Sequence, residues 1–117
     1  MLPVNEANLT YVPGSPERAD LKARLDRGEG PSVLLDVRET WEYETSRLEG
    51  STLVPMGELN ERYVELDPEA ETVVICHHGS RSALVARALQ NAGFSRVKNL
   101  EGGLDAYSRE DPSVPRY

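Results

Sequence analysis

Thr72-Val73-Val74-Ile75-Cys76-His77-His78-Gly79-Ser80-Arg81-Ser82-Ala83-Leu84-Val85-Ala86-Arg87-Ala88-Leu89-Gln90-Asn91-Ala92-Gly93 is the stretch on which the reading of this chain turns. Residues 72–75 form a short apolar, β-branched run, the mark of a strand. Polar residues 77–82 follow, and residues 80–92 then read as a helix with Leu84, Val85, Ala88, Leu89 and Ala92 on one face and Gly93 as its C-cap. Cys76, the only cysteine, therefore stands at a strand end facing a helix N-terminus. Free backbone N–H groups and the positive end of the helix dipole converge at such a point and favour a thiolate. The bland alternative is a lone cysteine acting as a small buried hydrophobe, and the polar loop around it argues the other way.

Working outward, strands and helices alternate. Thr10-Tyr11-Val12 reads as a short first strand. Ser15 as N-cap and Pro16 at the first helical position open a helix that runs to about Arg27 and closes at Gly28. Val33-Leu34-Leu35-Asp36-Val37 has the continuous apolar pattern of a strand buried on both faces. Residues 39–45 read as a short helix, Thr52-Leu53-Val54 as a strand, 57–66 as helix, 97–100 as the last strand and 104–108 as a short helix. This alternation predicts an α/β fold, a mostly parallel central sheet of about five strands with helices on both faces. Ligands in such sheets bind beyond the carboxyl ends of the strands, where Asp36 and Cys76 both fall.

The 117 residues fit a single domain, with a core over about 10–108 and short extensions. The Pro-containing tail from Asp111 to Tyr117 reads as an extended end, tethered or loose, without a function of its own. A net charge of −7 argues against a nucleic-acid groove or an anionic membrane surface as the main partner. Basic side chains are nearly all arginine, a trait too general to fix a source. Neither a leader-like N-terminus nor an apolar run of spanning length is visible, and a single thiol allows no internal disulfide. The expectation is a soluble protein of a reducing compartment, the cytoplasm by default.

Two groups of motifs resemble the rhodanese family. Asp36-Val37-Arg38-Glu39, Trp41-Glu42-Tyr43-Glu44, Leu48-Glu49-Gly50-Ser51 and Val54-Pro55 resemble its first half. The 76–82 loop, Ala92-Gly93-Phe94 and Asn99-Leu100-Glu101-Gly102-Gly103-Leu104-Asp105-Ala106-Tyr107 resemble its second. The match runs from about residue 10 to 108 in the family's order and spacing. It departs at Arg47-Leu48-Glu49-Gly50-Ser51, where His-Ile-Pro-Gly-Ala is common, and at Tyr107, where tryptophan is usual. Neither departure touches the cysteine loop.

The resemblance implies a rhodanese-like fold and a thiosulfate sulfurtransferase. Cys76 would be the nucleophile and sulfur carrier, passing sulfane sulfur as a persulfide from a small anionic donor to cyanide or a thiol. The acceptor would be a thiol such as that of a thioredoxin-like or biosynthetic protein. The chemistry accounts for the loop on its own terms, because an anionic persulfide needs N–H donors and no competing carboxylate. The backbone from His77 through His78, Gly79, Ser80 and Arg81 to Ser82 is expected to form that cradle, with Gly79 allowing the tight curvature.

Arg81 sits at the unfavourable end of a helix dipole, so it is read either as offset by a bound anion or as paired with a nearby glutamate. Arg38 is read either as facing the mouth of the site and contacting substrate or as holding the loop through an ion pair. Asp36 is expected to be structural support, accepting N–H bonds at the strand end. Trp41 and Tyr43 are expected to pack in the core and at the rim, and Gly102-Gly103 to permit a close turn past the site.

Other classes fit less well. His77 and His78 with one cysteine do not make a zinc site of the usual spacing, so one ring is expected to line the pocket, and no metal or cofactor is implied. Dual-specificity phosphatases of the same fold place arginine six residues after the cysteine; Arg81 is five after Cys76, in a loop too short for a phosphoryl group. Phosphate-binding glycine loops, the dinucleotide glycine pattern and the nucleophile elbow are missing. Two further readings stay open: a persulfide carrier in a sulfur relay, which would use the same chemistry, and a non-catalytic binding module, a role in which the cysteine is often lost.

Overall fold

The computed structural model describes residues 10–11, 16–111 and 113–115. Five strands, β1 (Thr10–Tyr11), β2 (Val33–Asp36), β3 (Thr52–Leu53), β4 (Thr72–Ile75) and β5 (Val97–Leu100), form one parallel sheet in the order β1-β5-β4-β2-β3. The expected Val12 and Ser15 lie outside the described residues. The helices are α1 (Pro16–Asp26), α2 (Thr40–Thr45), α3 (Leu59–Arg62), α4 (Ser80–Asn91) and α5 (Gly103–Glu110). Gly28, with φ +73, closes α1 by donating its N–H to Leu25.

β2 and β4 are the apolar runs, and they are buried on both faces because their side chains alternate between two cores. Leu35 and Val74 join Val85, Ala86, Leu89, Phe94, Val97 and Cys76 on one face. Leu34, Val73 and Ile75 join Leu21, Leu100, Leu104 and Tyr107 on the other. Each fully buried Leu or Val contributes about 1.5–3 kcal/mol relative to exposure, so these strands anchor the sheet. Val114 is also buried in the second cluster, and Ser46 Oγ donates to the Pro115 carbonyl, so these two residues of the tail are held against the domain.

The chain leaves β3 at one edge and crosses β2 to enter β4, so the strand order reverses between β2 and β4. Asp36 is in register with Ile75 there, and both strands end at the same level. This is the crevice where doubly wound sheets bind ligands.

Three local expectations need correction. The buried face of α4 is Ser82, Val85, Ala86 and Leu89, while Leu84 is 63% exposed and Ala88 and Ala92 also face outward. Leu84, Val85 and Ala86 are all apolar, so composition left the phase of the helix open, and Ser82's contact with the cysteine sets it. Trp41 is 62% exposed and does not pack in the core; Glu42, one residue and about 100° further round the helix, is turned inward instead. Residues 57–66 are not one helix. Only Leu59–Arg62 is α-helical, between 3-10 turns at Met56–Glu58 and Tyr63–Glu65, and Leu59 is its sole buried residue. So short an apolar anchor does not sustain a longer helix.

Candidate functional site

Cys76 follows directly on β4 and is wholly buried. Three donors converge on its Sγ: the Gly79 N–H at 3.0 Å, the Ser82 N–H at 3.4 Å and the Ser82 hydroxyl at 3.3 Å. The carbonyls of Cys76 and His77 point away from the sulfur and accept the N–H groups of Leu104 and Asp105, the first turn of α5, at 2.8 and 2.9 Å. Carbonyls are thus turned out and amides turned in, the polarity that suits an anion. Glycine makes the arrangement possible at two points. Gly79 has φ +97, and a β-carbon on it would lie 2.9 Å from the Gly102 nitrogen. A β-carbon on Gly103 would lie 2.4 Å from the Cys76 carbonyl oxygen.

His77 is partly buried and His78 exposed, their rings 4.1 Å apart edge to face. Desolvation, and then the neighbouring His78, hold His77 below its ordinary value of 6.5 despite the opposing pull of Asp105. The ring at this point is therefore disposed to be neutral. His78 Nδ1 lies 3.9 Å from Asp105. Ser80 is exposed at the start of α4. Among the described residues no group of three His, Cys, Asp or Glu side chains could hold a metal ion.

Arg81 does what the second of its two readings anticipated: its guanidinium grips Glu42 in a bidentate pair at 2.7 and 2.9 Å. Its charge at the helix N-terminus is compensated by that carboxylate. Arg38 does not face the mouth of the site. It is completely buried, its guanidinium held by both oxygens of Asp36 at 2.8–3.1 Å and by the carbonyls of Glu42 and Ser46 at 3.3 and 2.5 Å. Substrate contact by Arg38 is thus set aside in favour of the ion pair. Asp36 Oδ1 also accepts the Arg38 backbone N–H at 3.1 Å, so it organises the end of β2. Tyr43 lies at the periphery, donating its hydroxyl to Ser51 O.

Two site residues were missed by sequence reasoning. Glu42 is 5% exposed, completes a capping box with Glu39 and holds Arg81, linking α2 to α4. Its signal was the glutamate three residues after Glu39. Asn99, 4% exposed on β5, contacts both Ser82 and the Gly79 carbonyl. A polar residue on the buried phase of Val97-Lys98-Asn99-Leu100 was its signal.

Comparison with known proteins agrees with this geometry. The family described as "Rhodanese-like domain" matches residues 17–110. The chain belongs to the rhodanese-like family. This rhodanese-like domain is 36% identical over 92 residues to "Putative sulfurtransferase YtwF" of Bacillus subtilis, covering 79% of this chain and 87% of that protein. It is 39% identical over 83 residues to "Putative sulfur carrier protein YrkF" of the same organism, covering 71% of this chain. The domain spans only 44% of YrkF, less than half its length. The crystal structure of a rhodanese-related protein from Thermoplasma volcanium superposes with a TM-score of 0.73 at 31% identity, covering 84% of this chain and 93% of that one. The rhodanese-like fold, a parallel sheet between helices, is common to both.

Proposed function

We propose that this rhodanese-like domain is a sulfurtransferase that takes sulfane sulfur from thiosulfate onto Cys76 and passes it to a thiophilic acceptor. The observation that carries this reading is the convergence of two backbone N–H groups and a hydroxyl on Cys76 Sγ, with the adjoining carbonyls turned to α5. The Cys76 thiolate attacks the outer sulfur of thiosulfate, an S–S bond forms, and sulfite leaves with the electron pair of the bond it loses. Cyanide or a thiolate then attacks the terminal sulfur, takes it, and returns Cys76 as thiolate. No redox cofactor or metal enters this balance, and a covalent intermediate divides one difficult transfer into two easier ones.

Backbone donors are suited to this chemistry because charge moves from Sγ to the terminal sulfur without any proton transfer, so fixed dipoles can follow it at no reorganisation cost. The amides of residues 77–82 are the cradle on this reading, and the Arg81–Glu42 pair fixes the rim of the loop. Cys76 has no exposed surface, so a donor reaches it only as residues 77–82 admit it. Such access favours a small anion over a phosphorylated side chain, and the guanidinium a phosphatase would use is engaged by Glu42. A reducing compartment such as the cytoplasm suits a single thiol of this kind.

A second reading is a persulfide carrier in a sulfur relay, loaded by a protein donor and unloaded by a thioredoxin-like or biosynthetic thiol. The similarity to "Putative sulfur carrier protein YrkF" favours it. Steady-state thiocyanate formation decides between the readings. Thiosulfate as the best donor, ahead of 3-mercaptopyruvate and a persulfidated cysteine desulfurase, is the expected result. Faster loading from the desulfurase, with negligible thiosulfate turnover, would move the domain to the carrier class.

A further inference from the structure

Asn99 stands on β5 opposite Val74 of β4, directly beneath the cysteine loop, and takes no part in the mechanism above. Its Nδ2 donates to the Gly79 carbonyl at 3.3 Å, which already accepts the Ala83 N–H at 3.1 Å. A carbonyl can only accept, so this contact fixes the orientation of the carboxamide and turns Oδ1 toward Ser82. The Ser82 hydroxyl lies 2.5 Å from Asn99 Oδ1 and 3.3 Å from Cys76 Sγ. A hydroxyl has one proton, so the two acceptors compete for it.

We propose that Asn99 is a positioning residue that holds the Ser82 proton while Cys76 is a thiol or a persulfide and yields it when Sγ becomes a thiolate. The persulfide half rests on the sulfurtransferase reading; the thiol half does not. In the thiolate, the charge on Sγ draws the hydroxyl and leaves the buried Asn99 Oδ1 without its donor, a cost that falls on the thiolate alone. When Sγ bonds to sulfane sulfur the charge moves outward, Sγ becomes a weakly accepting divalent sulfur, and the hydroxyl returns to Asn99. In this step, from thiolate to persulfide, no proton enters or leaves the site. Asn99 therefore keeps the thiolate from being over-stabilised, which preserves its nucleophilicity, and biases Cys76 toward the sulfur-loaded state.

The test follows the ultraviolet thiolate absorbance of Cys76 against pH in the wild type, Asn99→Leu, Ser82→Ala, Ser82→Thr and the double variant. The charged and titratable groups nearby are His77 and His78 of the loop, Asp105 of α5, the Arg81–Glu42 pair between α4 and α2, and the Arg38–Asp36 pair at the end of β2. They are common to every arm and cancel in the cycle. With Asn99→Leu no acceptor is stranded when the hydroxyl turns to the sulfur, and the acid dissociation constant rises about tenfold, the size of the penalty for one buried polar group left without its partner. Ser82→Ala lowers it by a similar factor, Ser82→Thr restores it, and the double variant behaves as Ser82→Ala. A fall with Asn99→Leu, as loss of mere loop support would give, overturns the proposal; so does an equal effect with and without the Ser82 hydroxyl.

If Asn99→Leu does not fold, NMR of the Asn99 carboxamide decides the matter. Its signals should titrate with Cys76 in the wild type and stand still in Ser82→Ala. Titration that persists in Ser82→Ala overturns the proposal. These readouts need no sulfur donor, so a domain inert to thiosulfate would count against the sulfurtransferase reading and leave the role of Asn99 standing.

Discussion

Gly103 has φ +61, and a β-carbon placed on it meets the Cys76 carbonyl oxygen at 2.4 Å and the His77 carbonyl oxygen at 2.5 Å. Both atoms are backbone, held by hydrogen bonds to Leu104 and Asp105. Gly103→Ala should therefore cost about 1–2 kcal/mol for the left-handed conformation alone, and more for the clash, while displacing Cys76. Thermal unfolding and the rate of Cys76 persulfidation should fall together. By contrast, Gly50→Ala has no neighbour within 4 Å, so only its φ of +84 opposes it, and the sulfur chemistry should be untouched. The Gly102-Gly103 pair was legible as a close turn because only glycine tolerates such a path. Asn99 and Glu42 were not, because a polar residue declares its role through partners that are distant in sequence, Ser82 and Arg81.

At the scale of elements, buried ion pairs join what the sheet does not. Arg38 fastens the end of β2 to α2, its guanidinium donating to the Glu42 carbonyl and to that of Ser46, the residue that caps the helix, as well as to the Asp36 carboxylate. Arg38→Met strands a buried carboxylate and should cost roughly 3–5 kcal/mol. The double variant Asp36→Leu/Arg38→Met removes both charges and should recover much of that loss, measured by denaturant unfolding. The Arg24–Glu71 pair ties α1 to the start of β4 at 2.6 and 3.0 Å. The Arg24 guanidinium holds the Glu71 carboxyl below its ordinary 4.5. The unfolded chain thus binds this proton at a higher pH than the native one. The pair's contribution is full above about pH 4.5 and is lost as pH falls through the lower native value. Glu71→Gln should lower the Tm at pH 7, and by progressively less as the pH falls below 4.5; a constant difference would contradict this. The strands β4 and β5 were readable to the residue because turns bound both, β4 being a continuous apolar run and β5 beginning and ending on the apolar Val97 and Leu100. The phase of α4 and the outward turn of Trp41 were not, since they depend on Ser82 reaching Cys76 and on Glu42 reaching Arg81.

For the whole molecule, alternation of strand and helix was enough to predict a parallel sheet, and the position of Cys76 at a strand end put the candidate site at the carboxyl edge of that sheet. Which strands flank it was not written in that alternation, because the crossover over β2 is a property of the assembled sheet. The chain carries a net charge of −7 and the proposed donor is a dianion. Their long-range repulsion is screened by salt over about 10 Å at 0.1 M, so the rate of persulfidation by thiosulfate should rise as ionic strength increases from low values. Stopped-flow rates that fall with salt would instead indicate a locally positive mouth that overrides the global charge. Sulfur carried on Cys76 would be visible as a change in intact mass after thiosulfate and again after cyanide. The wild type should gain one sulfur atom and surrender it to cyanide, while Cys76→Ser should do neither. A wild type unchanged in mass, or a Cys76→Ser protein that still gains sulfur, would contradict it.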